Sequence, residues 1–168
     1  MSEKLPKLGL LLLLGLAFAW GINWPFMKIV LREIPLWTFR AWSCFAAGLM
    51  LLALARLTGG RVVPDTRDWL PLVIGAFFNV LLWHVFVAVG VMKMASGHAA
   101  VLAFTMPLWS AIISVVALGE RMTRRVAAAL ALGVGGIFVL LSRDFSAVSE
   151  APVGAAFMLG AAVGWAIG

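Results

Sequence analysis

The long apolar runs of this chain contain no aspartate or glutamate, and charged residues make up only 12% of its 168 residues. Soluble domains carry about 25% charged and about 45–50% apolar residues. Here 64% of the residues are hydrophobic. A water-soluble fold of this size could not hide so much apolar surface, so most of the chain is expected to lie in lipid.

Other absences narrow the function. The single cysteine, Cys44, excludes a disulfide framework and a thiolate cluster. Two histidines without carboxylate partners do not form a metal site. The sequence contains no phosphate-binding loop, no His-Glu-x-x-His and no nucleophile elbow. We therefore expect no enzyme activity, no catalytic residues, no metal and no cofactor.

The net charge is +6, from 13 Lys and Arg against 7 Asp and Glu. In a soluble protein this balance would suggest nucleic acid as a partner. Here the basic residues lie in short loops beside apolar runs, where they orient helices and contact anionic lipid headgroups. We expect membrane lipid, and no nucleic acid, as a partner.

The apolar runs have the length that membrane-spanning helices need, about 20 residues each. They do not alternate as barrel strands do. The sequence predicts an all-α membrane protein, a polytopic bundle with five transmembrane helices and the start of a sixth. The predicted helices cover about 8–30, 34–57, 69–92, 95–118 and 126–142, and an incomplete sixth follows a linker within 146–168.

The distribution of basic residues predicts a cytoplasmic N-terminus, because cytoplasmic loops carry an excess of Lys and Arg. The predicted cytoplasmic side has Lys4, Lys7, Arg56, Arg61, Arg67, Arg121, Arg124 and Arg125. The other side has Lys28, Arg32, Arg40, Lys93 and Arg143. The basic start also imitates a signal peptide, but the apolar run continues to Met27, which favours a spanning helix.

The chain also contains the trace of an internal repeat. Residues 14–23 align with residues 159–168 and share Leu, Gly, Ala, Trp and Ile, with Trp20 opposite Trp165. Five helices then lie in one period, and an odd number places the next helix in the opposite orientation. Two such units would form the inverted repeat of many secondary transporters. We expect residues 1–145 to be the first repeat, and a second repeat or a second copy to complete the fold.

Several motifs in order resemble the EamA family of the drug/metabolite transporter superfamily. They are Ala19 to Trp24 with Lys28, Pro35 with Phe39 and Arg40, Ala99 to Leu102 with Pro107 to Trp109, Leu118 to Arg121, and Gly133 with Gly135 and Gly136. The resemblance implies ten helices in two inverted repeats, and transport of small metabolites, often amino-acid export. The chain departs from that pattern by lacking nearly all of the second repeat.

The first helix provides the first candidate substrate-binding residues. Trp20, Asn23 and Trp24 share one stripe with Leu16 and Met27, by the three-to-four residue spacing of a helix. One interpretation is a cavity wall that offers aromatic faces and one amide to a substrate. The other is that Asn23 bonds a neighbouring helix while the tryptophans pack or lie at the membrane interface.

The third helix provides three more candidates. Asn79 and Trp83 lie on one predicted face, and His84 points to a different side of the same helix. An intramembrane histidine can relay protons or bind substrate. We slightly favour a packing role for His84.

Three residues have a structural and a functional interpretation each. Arg40, in the second helix, can snorkel outward, which we slightly favour, or attract a substrate carboxylate. Lys28 has the same two interpretations, with snorkelling favoured more strongly. Pro107 breaks the backbone bonding near Ala103 and gives either a static kink or a flexible point at cavity depth, with Thr105 available to satisfy a freed group.

The sequence thus predicts a transporter in the bacterial inner membrane that exports small metabolites, amino acids above all, by alternating access. The alternative is a channel-like facilitator or a structural membrane subunit without transport of its own. The absence of acidic residues within the five spans leaves proton coupling to His84 or to other parts of the protein, and facilitated diffusion is an option.

Overall fold

The computed structural model describes residues 7–60, 62–142 and 150–168. The helices are α1 (Lys7–Glu33), α2 (Leu36–Leu57), α3 (Thr66–Lys93), α4 (Ser96–Ala117), α5 (Arg124–Ser142) and α6 (Pro152–Ile167). Among the described residues, α1 to α4 are long and apolar enough to cross a membrane, and α6 is a shorter apolar helix. The prediction of a polytopic helical membrane protein is confirmed.

The helix α5 carries the fifth predicted apolar run, and α6 carries the sixth. Most of the predicted linker between them, residues 143–149, lies outside the described residues. The division into a first repeat over 1–145 and the opening of a second over 146–168 stays a prediction.

Glycine and proline mark the turns after α1, α2 and α4. Pro35 precedes α2 and has no amide hydrogen with which to continue α1. Gly59 follows α2 with a φ of 74°, and Gly119 follows α4 with a φ of 70°. This left-handed backbone suits glycine, which has no Cβ to clash.

Two of the helices depart from regular α-helical bonding. A π-helical segment, Ala76–Leu82, interrupts α3 between Trp69–Gly75 and Trp83–Lys93. The helix α4 is divided into Ser96–Ala103 and Met106–Ala117. The break in α4 lies just before Pro107, where the sequence predicted it, because proline removes one backbone donor and its ring displaces the preceding turn.

Thr105 satisfies polar groups at this break. Its hydroxyl donates a hydrogen bond of 2.6 Å to the carbonyl of Leu102. The same oxygen accepts a hydrogen bond of 3.2 Å from Nε1 of Trp109. The carbonyl of Leu102 also accepts the backbone amide of Thr105, whereas the carbonyl that loses its partner at Pro107 is that of Ala103. The expectation that Thr105 satisfies a freed backbone group therefore stays a prediction. Thr105 is buried, so these bonds avoid the cost of an unpaired hydroxyl in an apolar setting.

The core lies where α6 packs against α3 and α4. Met158 of α6 is fully buried, and α1 contributes Trp24 and Met27 to the same cluster. A row of glycines in α6, Gly160, Gly164 and Gly168, faces α3, because Cβ atoms there would overlap Phe86, Leu82, and Asn79 with Phe78. These glycines let two helices approach closely, as small residues do in membrane bundles.

Lys28 joins the end of α1 to the end of α3. Its ammonium donates hydrogen bonds to the carbonyls of Val91, Met92 (3.3 Å) and Met94 (2.8 Å). The last carbonyls of a helix have no partner within it and carry its partial negative charge. The ammonium thus reaches the end of a helix, as a snorkelling lysine does, and it hydrogen-bonds carbonyls of the protein there. The choice between snorkelling and substrate binding for Lys28 stays a prediction.

We expect Lys28→Met to destabilise the protein by about 1.5–3 kcal/mol, the usual contribution of hydrogen bonds to a charged group. The measurement is thermal unfolding of the purified protein in detergent. Lys93→Met is the matched control, because Lys93 is exposed in the last turn of α3. Equal unfolding temperatures for the two variants would show that the Lys28 bonds do not hold α1 against α3.

Candidate functional site

A cavity of about 530 Å³ lies between α1, α2, α3 and α6. This volume falls in the range of small-molecule sites, about 300–1,000 Å³. It is lined by Leu16, Ala19, Trp20, Asn23, Trp24, Met27, Arg40, Asn79, Trp83, His84, Val87 and Trp165. The structure therefore brings together seven of the eight candidate residues, all except Pro107.

The wall from α1 is the predicted stripe. Trp20, Asn23 and Trp24 all face the cavity. Trp24 is 6% exposed, whereas 46% of Trp20 is open. The ring of Phe104 supports both indoles from behind, with centroids 6.2 Å from Trp20 and 6.1 Å from Trp24. This stripe thus forms one wall of the cavity, and substrate binding at it stays a prediction.

Phe104 occupies the break in α4, and this position gives Pro107 an indirect connection to the cavity. Pro107 itself is exposed in the first turn of Met106–Ala117 and does not line the cavity. The proline ends the preceding turn, and the residue at that break contacts the two tryptophans. The sequence identified the break but not the aromatic ring that it presents.

The wall from α3 depends on the π-helical segment. Asn79 lies within Ala76–Leu82, and Trp83 and His84 follow it directly. Regular α-helical spacing predicts that His84 points away from Asn79, yet both line the cavity. The wider turns of a π-helix, with bonds from i to i+5, reduce the angle between these positions. The predicted separation is wrong for this reason.

His84 lies at the border of two spaces. It lines the cavity, and with Arg40 it also lines an apolar groove of about 340 Å³ between α2 and α3. Its Nδ1 lies 2.7 Å from the carbonyl oxygen of Val80. Because a carbonyl only accepts, Nδ1 carries the proton, and Nε2 is the acceptor of the neutral ring.

Arg40 turns inward rather than snorkelling, so the structural expectation for this residue is wrong. Its Nη2 donates to the sulfur of Met27 in α1, at 2.9 Å. Its guanidinium carbon lies 5.1 Å from the centroid of the Phe39 ring. The side chain is half-buried and lines the cavity. The functional interpretation, attraction of a substrate carboxylate, stays a prediction.

Three buried polar atoms of the cavity residues have no hydrogen-bond partner. They are Nε1 of Trp24, Nε of Arg40 and Oδ1 of Asn79. Buried polar groups are nearly always paired, and those that are not require an explanation. All three atoms belong to residues that line the cavity, but the atoms themselves are buried in its wall, where the described residues leave them without a partner.

Trp165 is the lining residue that the candidate set missed. It comes from α6 and completes a set of four tryptophans around the cavity, with Trp20, Trp24 and Trp83. The signal was present in the sequence, because the repeat alignment places Trp165 opposite Trp20. Both members of that pair line the same cavity.

The cavity is basic rather than acidic. None of the carboxylates in the described ranges lines it, and Arg40 is its cation. Within these ranges there is no group of three or more His, Cys, Asp or Glu that could hold a metal ion. The site therefore offers aromatic surface, the polar side chains of Asn23, Asn79 and His84, and one positive charge.

The sequence model of the EamA-like transporter family matches residues 7–142. The chain belongs to the EamA-like transporter family. The matched range includes every lining residue of the cavity except Trp165. The resemblance found in the sequence motifs is confirmed.

Curated relatives agree with this assignment. The chain is 30% identical to the uncharacterized transporter YvbV of Bacillus subtilis, over 99% of this chain and 54% of that protein. It is 22% identical to the uncharacterized transporter YoaV of the same organism, over 92% of this chain and 53% of that protein. A chloroplastic WAT1-related protein of Arabidopsis thaliana is 28% identical over 73% of this chain and 30% of its own length.

The chain thus spans about half the length of the two Bacillus relatives. No solved structure matches it significantly.

Cysteine labelling tests whether the cavity holds water. In a Cys44→Ala background, we expect Asn23→Cys to react with a membrane-impermeant maleimide, because thiols react as thiolates, which form in water. Phe18→Cys is the control, since Phe18 is 72% exposed, lies on another side of α1 and does not line the cavity. Labelling of both positions at equal rates, or of Phe18→Cys alone, would contradict a water-filled cavity.

Proposed function

We propose that this EamA-family chain forms part of a membrane transporter that exports small metabolites, above all amino acids, by alternating access. The observation that supports the proposal best is a cavity inside an apolar bundle that is lined by four tryptophans together with Asn23, Asn79, His84 and Arg40. In lipid, such polar side chains persist where they serve a ligand or a water-filled path. The two Bacillus relatives are also named as transporters.

The backbone supports a mechanism in which the cavity opens to one side at a time. The π-helical segment Ala76–Leu82 and the break before Pro107 are the points where α3 and α4 depart from regular bonding. π-Bulges are frequent at functional sites, and broken helices near the membrane midplane are typical of secondary transporters. Bending at these two points would change access to the cavity without repacking the core around Met158.

A second repeat, or a second copy of this chain, would complete the cavity. The chain spans about half the length of its Bacillus relatives. In an inverted-repeat transporter, the site lies at the interface between two repeats. We place the complete protein in the bacterial inner membrane with the N-terminus in the cytoplasm, because basic residues are more numerous on that side.

Flux into proteoliposomes that contain the complete gene product tests the proposal. We expect saturable uptake of an amino acid, with counterflow, which distinguishes a transporter from a channel. Trp20→Ala, Asn23→Ala and Trp24→Ala should each lower flux about tenfold or more, equivalent to about 1.4 kcal/mol of lost interaction.

The matched control is Phe18→Ala, which removes an aromatic side chain from the same helix outside the cavity. The proposal fails if the wild-type protein shows no saturable flux for any solute in a panel of amino acids and related metabolites. Wild-type kinetics in all three cavity variants would remove the α1 stripe from the site.

A further inference from the structure

We propose that the cavity selects solutes that carry one carboxylate beside an aromatic or bulky apolar body, with Arg40 pairing with the carboxylate, and that an amino group is not required. The inference rests on the proposed function, since it names the substrate class of the same cavity. Arg40 is a cation at the cavity, and no carboxylate of the described ranges lines the cavity beside it.

The neighbours of Arg40 cannot neutralise it. Its Nη2 donates to the thioether of Met27, which is a weak acceptor, and its guanidinium lies near the Phe39 ring. Its Nε is buried without a hydrogen-bond partner. A buried charge is costly unless it is paired, and paired ions dominate among buried charges in proteins. The position therefore favours an anion from outside the described chain.

The carboxylates of the described ranges lie elsewhere. All five are exposed or lie in turns at helix ends, and none lines the cavity. They are Glu33, Asp65, Asp68, Glu120 and Glu150. The guanidinium fork matches a carboxylate with two parallel hydrogen bonds, and the Arg40 side chain lines the cavity. A substrate carboxylate in the cavity would supply the missing charge.

The remaining wall determines what accompanies the carboxylate. Trp20, Trp24, Trp83 and Trp165 present large aromatic surfaces, on which flat or bulky apolar groups pack. The amide side chain of Asn79 lines the cavity beside them. An ammonium would find aromatic faces and this amide but no carboxylate, so it adds less to recognition than the acid does.

The single cation also limits the charge of the ligand. Among the cavity residues, Arg40 is the permanent positive charge, and a dianion such as a phosphate monoester would bring one charge too many. In a low-dielectric space an uncompensated charge is costly. A monocarboxylate balances Arg40 one to one.

Three compounds with the same phenyl body separate the contributions of acid and amine. They are 3-phenylpropanoate, phenylalanine and 2-phenylethylamine, and binding to the complete protein in detergent is followed by calorimetry. We expect 3-phenylpropanoate and phenylalanine to bind with Kd values within about threefold of each other, and 2-phenylethylamine to bind at least about tenfold more weakly. Binding of the amine as tight as that of the acid, or no measurable binding of either acid, overturns the inference.

Variants of Arg40 assign the preference to this side chain. Arg40→Gln should weaken 3-phenylpropanoate binding about tenfold or more and leave 2-phenylethylamine unchanged. Arg40→Lys keeps the charge without the planar fork, so its affinity for 3-phenylpropanoate should lie between those of the wild type and Arg40→Gln. Arg56→Gln removes a cation from the same helix away from the cavity and should bind as the wild type does. Unchanged acid binding in Arg40→Gln overturns the assignment, and if that variant does not fold, the Arg40→Lys result decides.

The outcomes also separate this inference from the proposed function. Arg40-dependent acid binding without flux in proteoliposomes would refute the transporter and leave the carboxylate site in place. Saturable flux of phenylalanine with no preference between 3-phenylpropanoate and 2-phenylethylamine in competition would keep the transporter and refute the carboxylate site.

Discussion

The arrangement of the cavity depends on the hydrogen bonds that the ammonium of Lys28 donates from α1 to the end of α3. The ammonium occupies carbonyls at the last turn of α3 and just beyond, and it comes from α1. These two helices provide most of the cavity wall. The whole of α2 separates α1 from α3 in the chain, and α2 has no fully buried residue, so the Lys28 hydrogen bonds join the ends of α1 and α3 without its help. Van der Waals packing at Met27 and Val87 then continues the contact toward the site.

Departures from regular helix geometry concentrate beside the cavity. The π-helical segment of α3 contains Asn79 and turns His84 toward the same space, and the break in α4 presents Phe104 to two tryptophans. Elsewhere in the described part of the chain, α1 and α2 are continuous α-helices. Backbone irregularity within a membrane requires internal partners, which Thr105 supplies in α4. The chain therefore concentrates irregular backbone where a changing wall would be useful.

The helices, the α1 stripe and the break before Pro107 could be predicted from the sequence, because each depends on a local property: apolar length, helical spacing or a missing amide hydrogen. Features that depend on irregular backbone or on contacts between helices could not. The orientation of His84 required knowledge of the π-helical segment, which no composition signal marks. The inward position of Arg40 and the docking of Lys28 depend on acceptors in other helices, Met27 and the end of α3. Trp165 was visible only through the repeat, whose alignment rests on few identities.

The position of Arg40 also constrains how transport could be coupled to protons. The titratable or charged side chains that line the cavity and the adjoining groove are Arg40, His84 and Cys44, while the cavity walls from α1 and α6 are uncharged. Protonation of His84 at Nε2 would place a second cation near Arg40 and strengthen the binding of a carboxylate. Proton and substrate would then bind together, as in symport, because each favours the other. An inward proton gradient drives export only when the two exclude each other. Export of a carboxylate through this wall is therefore better served by facilitated diffusion, or by a coupling group outside the described residues, than by proton exchange at His84.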